Sequence, residues 1–286
     1  MNLVAIDIGN SSIKVALYCN DEEKWLRVIP GDQSLEKTLR QTLIEAWDSI
    51  PLSKAAAEPV RDGILAVSSV KPVWTELVEK LAREELGEKV FLIGRDIPLP
   101  IETSVDNPLE VGTDRLVAAA AAFAVVEDAV VVADFGTAVT IDLVDENGVF
   151  LGGTISPGFE MAAKALHENT AKLPPVTMAK PISPNGASTE EAIRSGLYYS
   201  AVGLLETICR KFAEQMGRWP QVILTGGGAS LIKEDCEFVD SYVPNLAVRG
   251  IVIAYKKYLY EKAEIEQFER EDKPKWTPKS PKKKTP

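Results

Sequence analysis

The chain opens with two apolar runs separated by a short polar turn, and the same arrangement returns about half a chain later. Residues 3–18 read LVAIDIGNSSIKVALY, and residues 130–144 read VVVADFGTAVTIDLV. In each copy an apolar run ends in Asp-x-Gly, small polar residues follow, and a second apolar run begins. Short apolar runs bounded by turn residues predict strands. Each copy is therefore predicted to be a strand, a tight turn and a second strand.

Helical periodicity alternates with further strand-like runs along both halves. The leucines and tryptophan of residues 35–47 recur four positions apart, which predicts a helix. The predicted helices cover residues 35–47, 73–86, 112–126 and 190–216, a segment from residue 158, and residues 250–268. The further predicted strands cover residues 25–29, 63–70, 89–94, 149–156 and 221–228. Alternating strands and helices predict the α/β class.

The repeat divides the chain into two similar predicted domains and a tail. We assign residues 1–117 to the first domain, residues 118–268 to the second and residues 269–286 to the tail. The tail ends in KPKWTPKSPKKKTP, which is rich in proline and lysine and contains no acidic residue. Such a composition cannot bury a core, so we expect this segment to be disordered. A weak anion-binding arm is the alternative interpretation.

Charge and cysteine content exclude several classes of protein. The net charge is -10 although the last fourteen residues carry six lysines, so the rest of the chain carries -16. An acidic body argues against nucleic acid as a partner. No apolar run reaches the roughly 18 residues of a membrane span, and the N-terminal residues do not resemble a signal peptide. The three scattered cysteines (Cys19, Cys209 and Cys236) form no CxxC pair, so we expect a cytoplasmic protein without a zinc site.

The repeated turn has a physical use. A glycine there allows positive φ and a close approach of the backbone to a ligand, and the N–H groups of such a turn bind anions. The aspartates of the two copies, Asp7 and Asp134, can hold Mg²⁺, which bridges phosphate oxygens. Two such turns facing each other would bind one polyphosphate from both sides. The alternative is a pair of plain hairpins whose aspartates cap their turns.

A third stretch strengthens the polyphosphate interpretation. VILTGGGAS, residues 222–230, is an apolar strand followed by three glycines. The order of the three stretches resembles the acetate kinase, sugar kinase, Hsp70 and actin superfamily, whose members bind ATP with two phosphate turns and a glycine-rich adenosine turn. The resemblance implies duplicated actin-like (ribonuclease H-like) domains with a cleft between them.

Four more stretches narrow the resemblance to one family. They are NPLEVGTDR (107–115), DFGTAVTID (134–142), GGTISPG (152–158) and STEEAIRSG (188–196). In this order they resemble the type III pantothenate kinase family over about residues 2–258. The resemblance implies that ATP phosphorylates pantothenate to 4'-phosphopantothenate, the first step of coenzyme A biosynthesis. It also implies a homodimer in which the second subunit completes the pocket, and the small-residue helix after Arg115 and the loop before Asn107 are the candidate contacts.

The family pattern implies a role for each matching residue. Asp114 corresponds to the catalytic base and Arg115 to the contact with the pantothenate carboxylate. Gly112 and Thr113 belong to the same substrate loop, and Thr189 corresponds to a further substrate contact. The family also has a tyrosine near this pocket, whereas the corresponding stretch VDNPLEVG (105–112) contains none.

The nucleotide and its cations are assigned in the same way. Asp134 corresponds to a ligand of the monovalent cation, K⁺ or NH₄⁺. Asp7 is assigned to Mg²⁺, which it would bind directly or through a water molecule. Ser11 departs from the usual threonine but keeps the hydroxyl. The ATP-binding residues implied by the resemblance are Asp7, Gly9, Asn10, Ser11, Lys14, Gly136, Thr137, Gly226 and Gly227.

The residues themselves agree with this chemistry and leave alternatives. Phosphoryl transfer requires positioning and charge neutralisation, and a forked guanidinium such as that of Arg115 suits a carboxylate. Asp114 could instead be the N-cap or a first-turn acid of a helix, with Arg115 as its surface neighbour. The single histidine, His167, excludes histidine-based triads. A non-catalytic nucleotide-binding relative and a kinase for another small alcohol are the alternative functions.

Overall fold

A computed structural model describes residues 1–53 and 60–271, so the predicted tail beyond residue 271 lies outside the described residues. The strands are β1 Leu3–Ile8, β2 Ser12–Cys19, β3 Glu22–Pro30, β4 Leu52–Ser53, β5 Val60–Arg61, β6 Ile64–Ser69, β7 Val90–Leu92, β8 Glu102–Thr103, β9 Val130–Phe135, β10 Ala138–Val144, β11 Val149–Pro157, β12 Gln221–Thr225 and β13 Ser241–Tyr242. The helices are α1 Leu35–Asp48, α2 Pro72–Leu81, α3 Thr113–Val126, α4 Phe159–Glu168, α5 Thr189–Met216, α6 Ala229–Ile232 and α7 Leu246–Glu271.

Two sheets carry the same strand order, which confirms the predicted duplication. The first sheet runs β3-β2-β1-β6-β7, and the second runs β11-β10-β9-β12-β13 with β8 added beyond β11. In each sheet the hairpin partner of the central strand is antiparallel to it, and the crossover strand on its other side is parallel to it. The predicted α/β class with two actin-like halves is therefore correct.

Helices α3 and α7 lie between the two sheets. They pack on each other, and α7 also contacts β1 while α3 contacts β9 and β10. Close approach depends on Gly250, because a Cβ there would lie 1.9 Å from the carbonyl oxygen of Val117. Helix α7 begins at Leu246, four residues before the start at Gly250 that the sequence predicts. The glycine serves the contact and does not start the helix.

The structure corrects two expectations about α3. The predicted domain boundary at residues 117/118 falls inside this helix, and β8 precedes the boundary although it pairs with the second sheet. The small-residue face of α3 is also not available to a second subunit. Its residues from Leu116 to Ala122 are all buried in the same chain, because small side chains allow α7 and the sheets to cover them.

Candidate active site

The two repeated turns meet in a cleft between the sheets. The cleft holds a cavity of about 210 Å³. Of the residues predicted from the sequence, its lining includes Asp7, Gly9, Asn10, Ser11, Lys14, Asp114, Arg115, Asp134, Gly136, Thr137, Gly226 and Gly227. Because β1 and β9 are matching central strands, their carboxyl ends deliver the two turns to opposite walls of one site. The hydroxyl oxygens of Ser11 and Thr137 come within 2.8 Å of each other.

The glycines of the two repeated turns do not adopt the positive φ that the sequence analysis expects of them. The N–H of Gly9 donates to the carbonyl of Ser12 (3.1 Å), and that of Gly136 donates to the carbonyl of Ala138 (3.0 Å). Neither glycine has a φ in the left-handed region. The cleft glycine that does is Gly226, with φ +88°, and a Cβ there would lie 2.3 Å from Oδ1 of Asp134. Glycine is thus required at 226 by both conformation and space.

Asp7 is a buried carboxylate with one oxygen paired and one free. Oδ2 accepts a hydrogen bond from Nζ of Lys14 at 3.2 Å, whereas buried Oδ1 has no hydrogen-bond partner among the described residues. Burial lowers the pKa of Lys14, but the carboxylates of Asp7 and Asp134 outweigh it and raise that pKa overall. A buried oxygen without a partner suits a cation or a water of its hydration shell.

Asp134 carries the strongest indication of an unsatisfied charge in the cleft. Burial raises its pKa to about 6, and Asp7 and Asp114 add to the effect against the opposing charge of Lys14. Among residues 1–53 and 60–271, no group of three or more His, Cys, Asp or Glu residues is arranged to hold a metal ion. A cation here would therefore take most of its ligands from water and from a bound ligand.

Asp114 lies in the first turn of α3, directly beside the phosphate turns. Burial and the nearby charge of Asp7 raise its pKa, and its Oδ1 accepts a hydrogen bond of 2.8 Å from the backbone N–H of Arg115. The N-cap of the helix is Gly112 rather than Asp114. A Cβ on Gly112 would lie 2.5 Å from Oδ1 of Asp114. The glycine therefore leaves room for the carboxylate that lines the cavity.

Arg115 pairs with a residue that sequence reasoning missed. Its Nε donates to Oδ2 of Asp142 at 3.1 Å, and its Nη2 donates to the other carboxylate oxygen. Asp142 is buried, and burial raises its pKa although the hydrogen bonds from Arg115 oppose this. The guanidinium that is predicted to bind the substrate carboxylate therefore already pairs with a carboxylate of the same chain. The signal was available, because Asp142 is the last residue of the DFGTAVTID stretch.

The other predicted substrate residues have different surroundings. The hydroxyl of Thr113 accepts from the N–H of Ser69 (3.1 Å) and donates to its carbonyl (3.0 Å), which ties the start of α3 to the end of β6. Gly112 and Thr113 line a neighbouring cavity of about 690 Å³ rather than the central cleft. Thr189 is exposed at the first residue of α5 and is not among the residues that line the cleft.

A further cavity adjoins the second turn and the glycine-rich turn. It measures about 540 Å³ and is lined by Gly136 and Thr137 on one side and by Gly227 and Gly228 on another. Its apolar lining includes Phe159 and Met178, and its polar lining includes His167. The Phe159 ring stacks on Phe135 with centroids 6.2 Å apart. This cavity offers an apolar surface next to the polar cleft.

Comparisons with known proteins agree with the geometry. The family model described as type III pantothenate kinase matches residues 3–211. A type III pantothenate kinase of Dehalococcoides mccartyi is 33% identical over 257 residues, which cover 89% of this chain and 97% of that protein. The corresponding enzyme of Geotalea uraniireducens is 34% identical over 255 residues, covering 89% and 98%.

A solved structure supports the fold alone. It is described as a Baf-family transcriptional activator from Campylobacter jejuni, with 18% identity and a TM-score of 0.55 over 92% of this chain and all of that chain. Within the part of the chain that the structure describes, no helix is long and apolar enough to cross a membrane. The match of the family model and the two relatives extends over most of the chain, and on this basis the chain belongs to the type III pantothenate kinase family.

Proposed function

We propose that this protein transfers the γ-phosphoryl group of ATP to the 4'-hydroxyl of pantothenate in the central cleft, the first step of coenzyme A biosynthesis. The observation that carries the proposal is the meeting of two matching turns with the carboxylate of Asp114 in one cavity. Backbone N–H groups of both turns suit the charged phosphates, and the buried carboxylate suits the hydroxyl acceptor. The family's activity as a pantothenate kinase gives the acceptor.

Asp114 orients the pantothenate hydroxyl and accepts its proton as the phosphoryl group is transferred. The raised pKa that burial and Asp7 cause makes the carboxylate a stronger base than an exposed aspartate. Its position at the start of α3 is fixed, because Thr113 anchors that turn to Ser69.

Arg115 and Asp142 serve the carboxylate end of pantothenate. The pair with Asp142 uses Nε and Nη2 of Arg115, and a guanidinium has five N–H donors. The remaining donors are available for a second carboxylate. Asp142 then holds the guanidinium plane in place while the substrate binds.

Two cations fit the charges in the cleft. Mg²⁺ near Asp7 would neutralise phosphate charge, and K⁺ or NH₄⁺ would bind at Asp134. The free Oδ1 of Asp7 and the raised pKa of Asp134 support these positions, since both carboxylates lack enough positive charge nearby. Lys14 lies near both carboxylates, whose charges raise its pKa, and it is paired with Asp7 at 3.2 Å.

The adenosine lies in the cavity beside Gly227 and Gly228. The phosphates of ATP would reach the turns at Gly9 and Gly136, and its adenine would rest on the apolar lining that includes Phe159. This arrangement is supported by the order of the three turns and by the cavity that joins them.

The buried free cysteines agree with a reducing cytoplasm as the location.

Thr189 reaches pantothenate from the second subunit of a homodimer. Its place at the exposed N-terminus of α5 supports this arrangement. Ile155, Met161 and Tyr199 are large apolar residues on β11, α4 and α5 that are 44–65% exposed. An apolar groove of about 310 Å³ is lined by residues of the same three elements together with Val139 of β10. Light scattering of Ile155→Glu/Tyr199→Glu tests this contact, and an unchanged dimer mass would refute it.

The deciding experiment is a coupled assay of ADP release with ATP and pantothenate. Turnover is expected in K⁺ or NH₄⁺, with little in Na⁺ alone. Product identity is checked by mass spectrometry as pantothenate plus one phosphate. Absence of pantothenate-dependent ADP release in K⁺ would refute the proposed acceptor, and equal rates in K⁺ and Na⁺ would remove Asp134 from its cation role.

A further inference from the structure

Lys71 touches the first phosphate turn from outside the cleft. Its Nζ donates to the backbone carbonyl of Asn10 at 2.9 Å and lies 3.3 Å from the centre of the Trp74 ring. Lys71 is absent from the lining of the central cavity, whereas Asn10 and Ser11 are part of it. Lys71 instead lines the neighbouring cavity of about 690 Å³, so it holds the turn from outside the central cleft.

This contact determines which way the next N–H points. The described chain contains no cis peptide bond, and in a trans peptide the carbonyl and the following N–H point in opposite directions. A carbonyl of Asn10 held by Lys71 therefore directs the N–H of Ser11 towards the cleft. The following carbonyl, that of Ser11, accepts a hydrogen bond of 2.9 Å from the N–H of Gly31, so both peptides that flank Ser11 are held.

Trp74 completes the support behind the turn. Its ring lies against Gly31, where a Cβ would come within 2.3 Å of the indole and 3.0 Å of the Ser11 carbonyl. The ring face carries the ammonium of Lys71, a cation–π contact. The stack of lysine, tryptophan and glycine backbone fills the space behind the turn.

The same lysine is connected to the catalytic helix. Its backbone N–H donates to the hydroxyl of Ser69 at 3.1 Å, and the N–H of Ser69 donates to the hydroxyl of Thr113 at 3.1 Å. Thr113 is followed directly by Asp114. A short chain of hydrogen bonds thus links the phosphate turn at Asn10 to the proton acceptor at Asp114.

We infer that Lys71 is a positioning residue for phosphoryl transfer, which holds the Ser11 N–H towards the nucleotide phosphates and sets the first turn relative to Asp114. The inference rests on the proposed function only in taking ATP as the ligand of this turn. Lys71 acts through the backbone of Asn10, because it does not line the central cavity in which Asp114 and the two turns meet.

Three variants test this role. Lys71→Met keeps the apolar stem on Trp74 but removes the donor, and Lys71→Arg keeps a donor that also stacks on aromatic rings. Lys80→Met changes an exposed lysine near the end of α2, the helix whose N-cap is Lys71. Misplacement of a reacting group by about 1 Å costs roughly 100-fold, so Lys71→Met should lower kcat/KM for ATP about 10- to 100-fold. Its KM for pantothenate and its melting temperature should stay near wild type, and Lys71→Arg should restore most of the loss.

ADP calorimetry on the same variants separates this inference from the proposed function. Weaker ADP binding by Lys71→Met, with Lys71→Arg and Lys80→Met near wild type, supports the role even if the wild type fails to phosphorylate pantothenate. Wild-type ADP affinity and wild-type KM for ATP in Lys71→Met would overturn it. An equal loss in Lys71→Arg, or an equal rise in the KM for pantothenate, would also overturn it, because the defect would then be a general disturbance of the site.

Discussion

The hydroxyl oxygens of Ser11 and Thr137 lie 2.8 Å apart, although 126 positions separate the two residues in the chain. Ser11 belongs to the turn after β1, and Thr137 belongs to the matching turn after β9. The duplicated halves therefore meet at the same point of their repeated hairpins. A polyphosphate in the cleft would contact both hydroxyls, so each becomes a donor whose removal is measurable.

Ser11→Ala is expected to weaken ADP binding about tenfold, since a hydrogen bond to a charged group contributes about 1.5–3 kcal/mol and this hydroxyl is partly solvated. Ser11→Thr restores the residue usual in the family and keeps the donor, so its affinity should remain within about twofold of wild type. Calorimetry with ADP and Mg²⁺ measures both. An alanine variant that binds ADP as tightly as wild type would show that the hydroxyl does not contact the phosphates.

In the protein without nucleotide, the charge of Asp134 lowers the free energy of unfolding in a pH-dependent way. Its pKa is raised to about 6, whereas an unfolded aspartate has a value of about 3.9. Between these values the folded state binds more protons than the unfolded state, so the contribution of this group to the free energy of unfolding decreases as pH rises through the window. At pH 7.5 the charged carboxylate should cost about 1–3 kcal/mol.

Asp134→Asn removes that cost, so it should raise the melting temperature by about 2–8 °C at pH 7.5 and have little effect at pH 4. The measurement is thermal unfolding without nucleotide at both pH values. The same variant should lose the stimulation of turnover by K⁺, because the amide removes the charge that binds the cation. An equal change in melting temperature at the two pH values would contradict the assignment of the raised pKa to Asp134.

The duplication was predictable because its signals are local. An apolar run, an Asp-x-Gly turn and a second apolar run are contiguous in sequence, so both copies could be recognised without knowing the fold. The turn conformation was not predictable, because Gly9 and Gly136 complete their turns with ordinary φ values. Gly226 adopts the left-handed conformation instead, where Asp134 on a different strand leaves no room for a Cβ.

The contacts that organise the site depend on distant segments. Asp142 reaches Arg115 because α3 packs across β10, and no sequence spacing specifies that crossing. Lys71 reaches Asn10 across 61 positions through the parallel pairing of β1 with β6. The small residues of α3 predicted close packing correctly, but composition alone could not distinguish α7 of the same chain from a second subunit.

The basic tail should be dispensable for both stability and catalysis. Its proline- and lysine-rich composition does not support a packed structure, so deletion of residues 273–286 should leave melting temperature and kcat near wild type. Thermal unfolding and steady-state kinetics at low and high salt measure both effects. A rise in the KM for ATP that appears only at low salt would instead support the anion-binding arm.

Asp114→Asn separates catalysis from binding and folding. The amide keeps the size of the side chain but removes the charge that accepts a proton, and a positioned base contributes about 10²–10⁴-fold, so kcat should fall by that factor.

Burial and Asp7 raise the pKa of Asp114, so wild-type kcat/KM should decrease as pH falls through that pKa, because the protonated acid cannot act as a base. The fold should survive, since a first-turn acid contributes only about 0.3–1 kcal/mol and the raised pKa of Asp114 means that its charge does not stabilise the folded state at neutral pH. ADP affinity should persist because the turns bind the phosphates. Asp128→Asn, which removes a surface carboxylate paired with Arg218, is the control. Turnover within a few fold of wild type in Asp114→Asn would leave Asp114 as a first-turn acid of α3 and require another base.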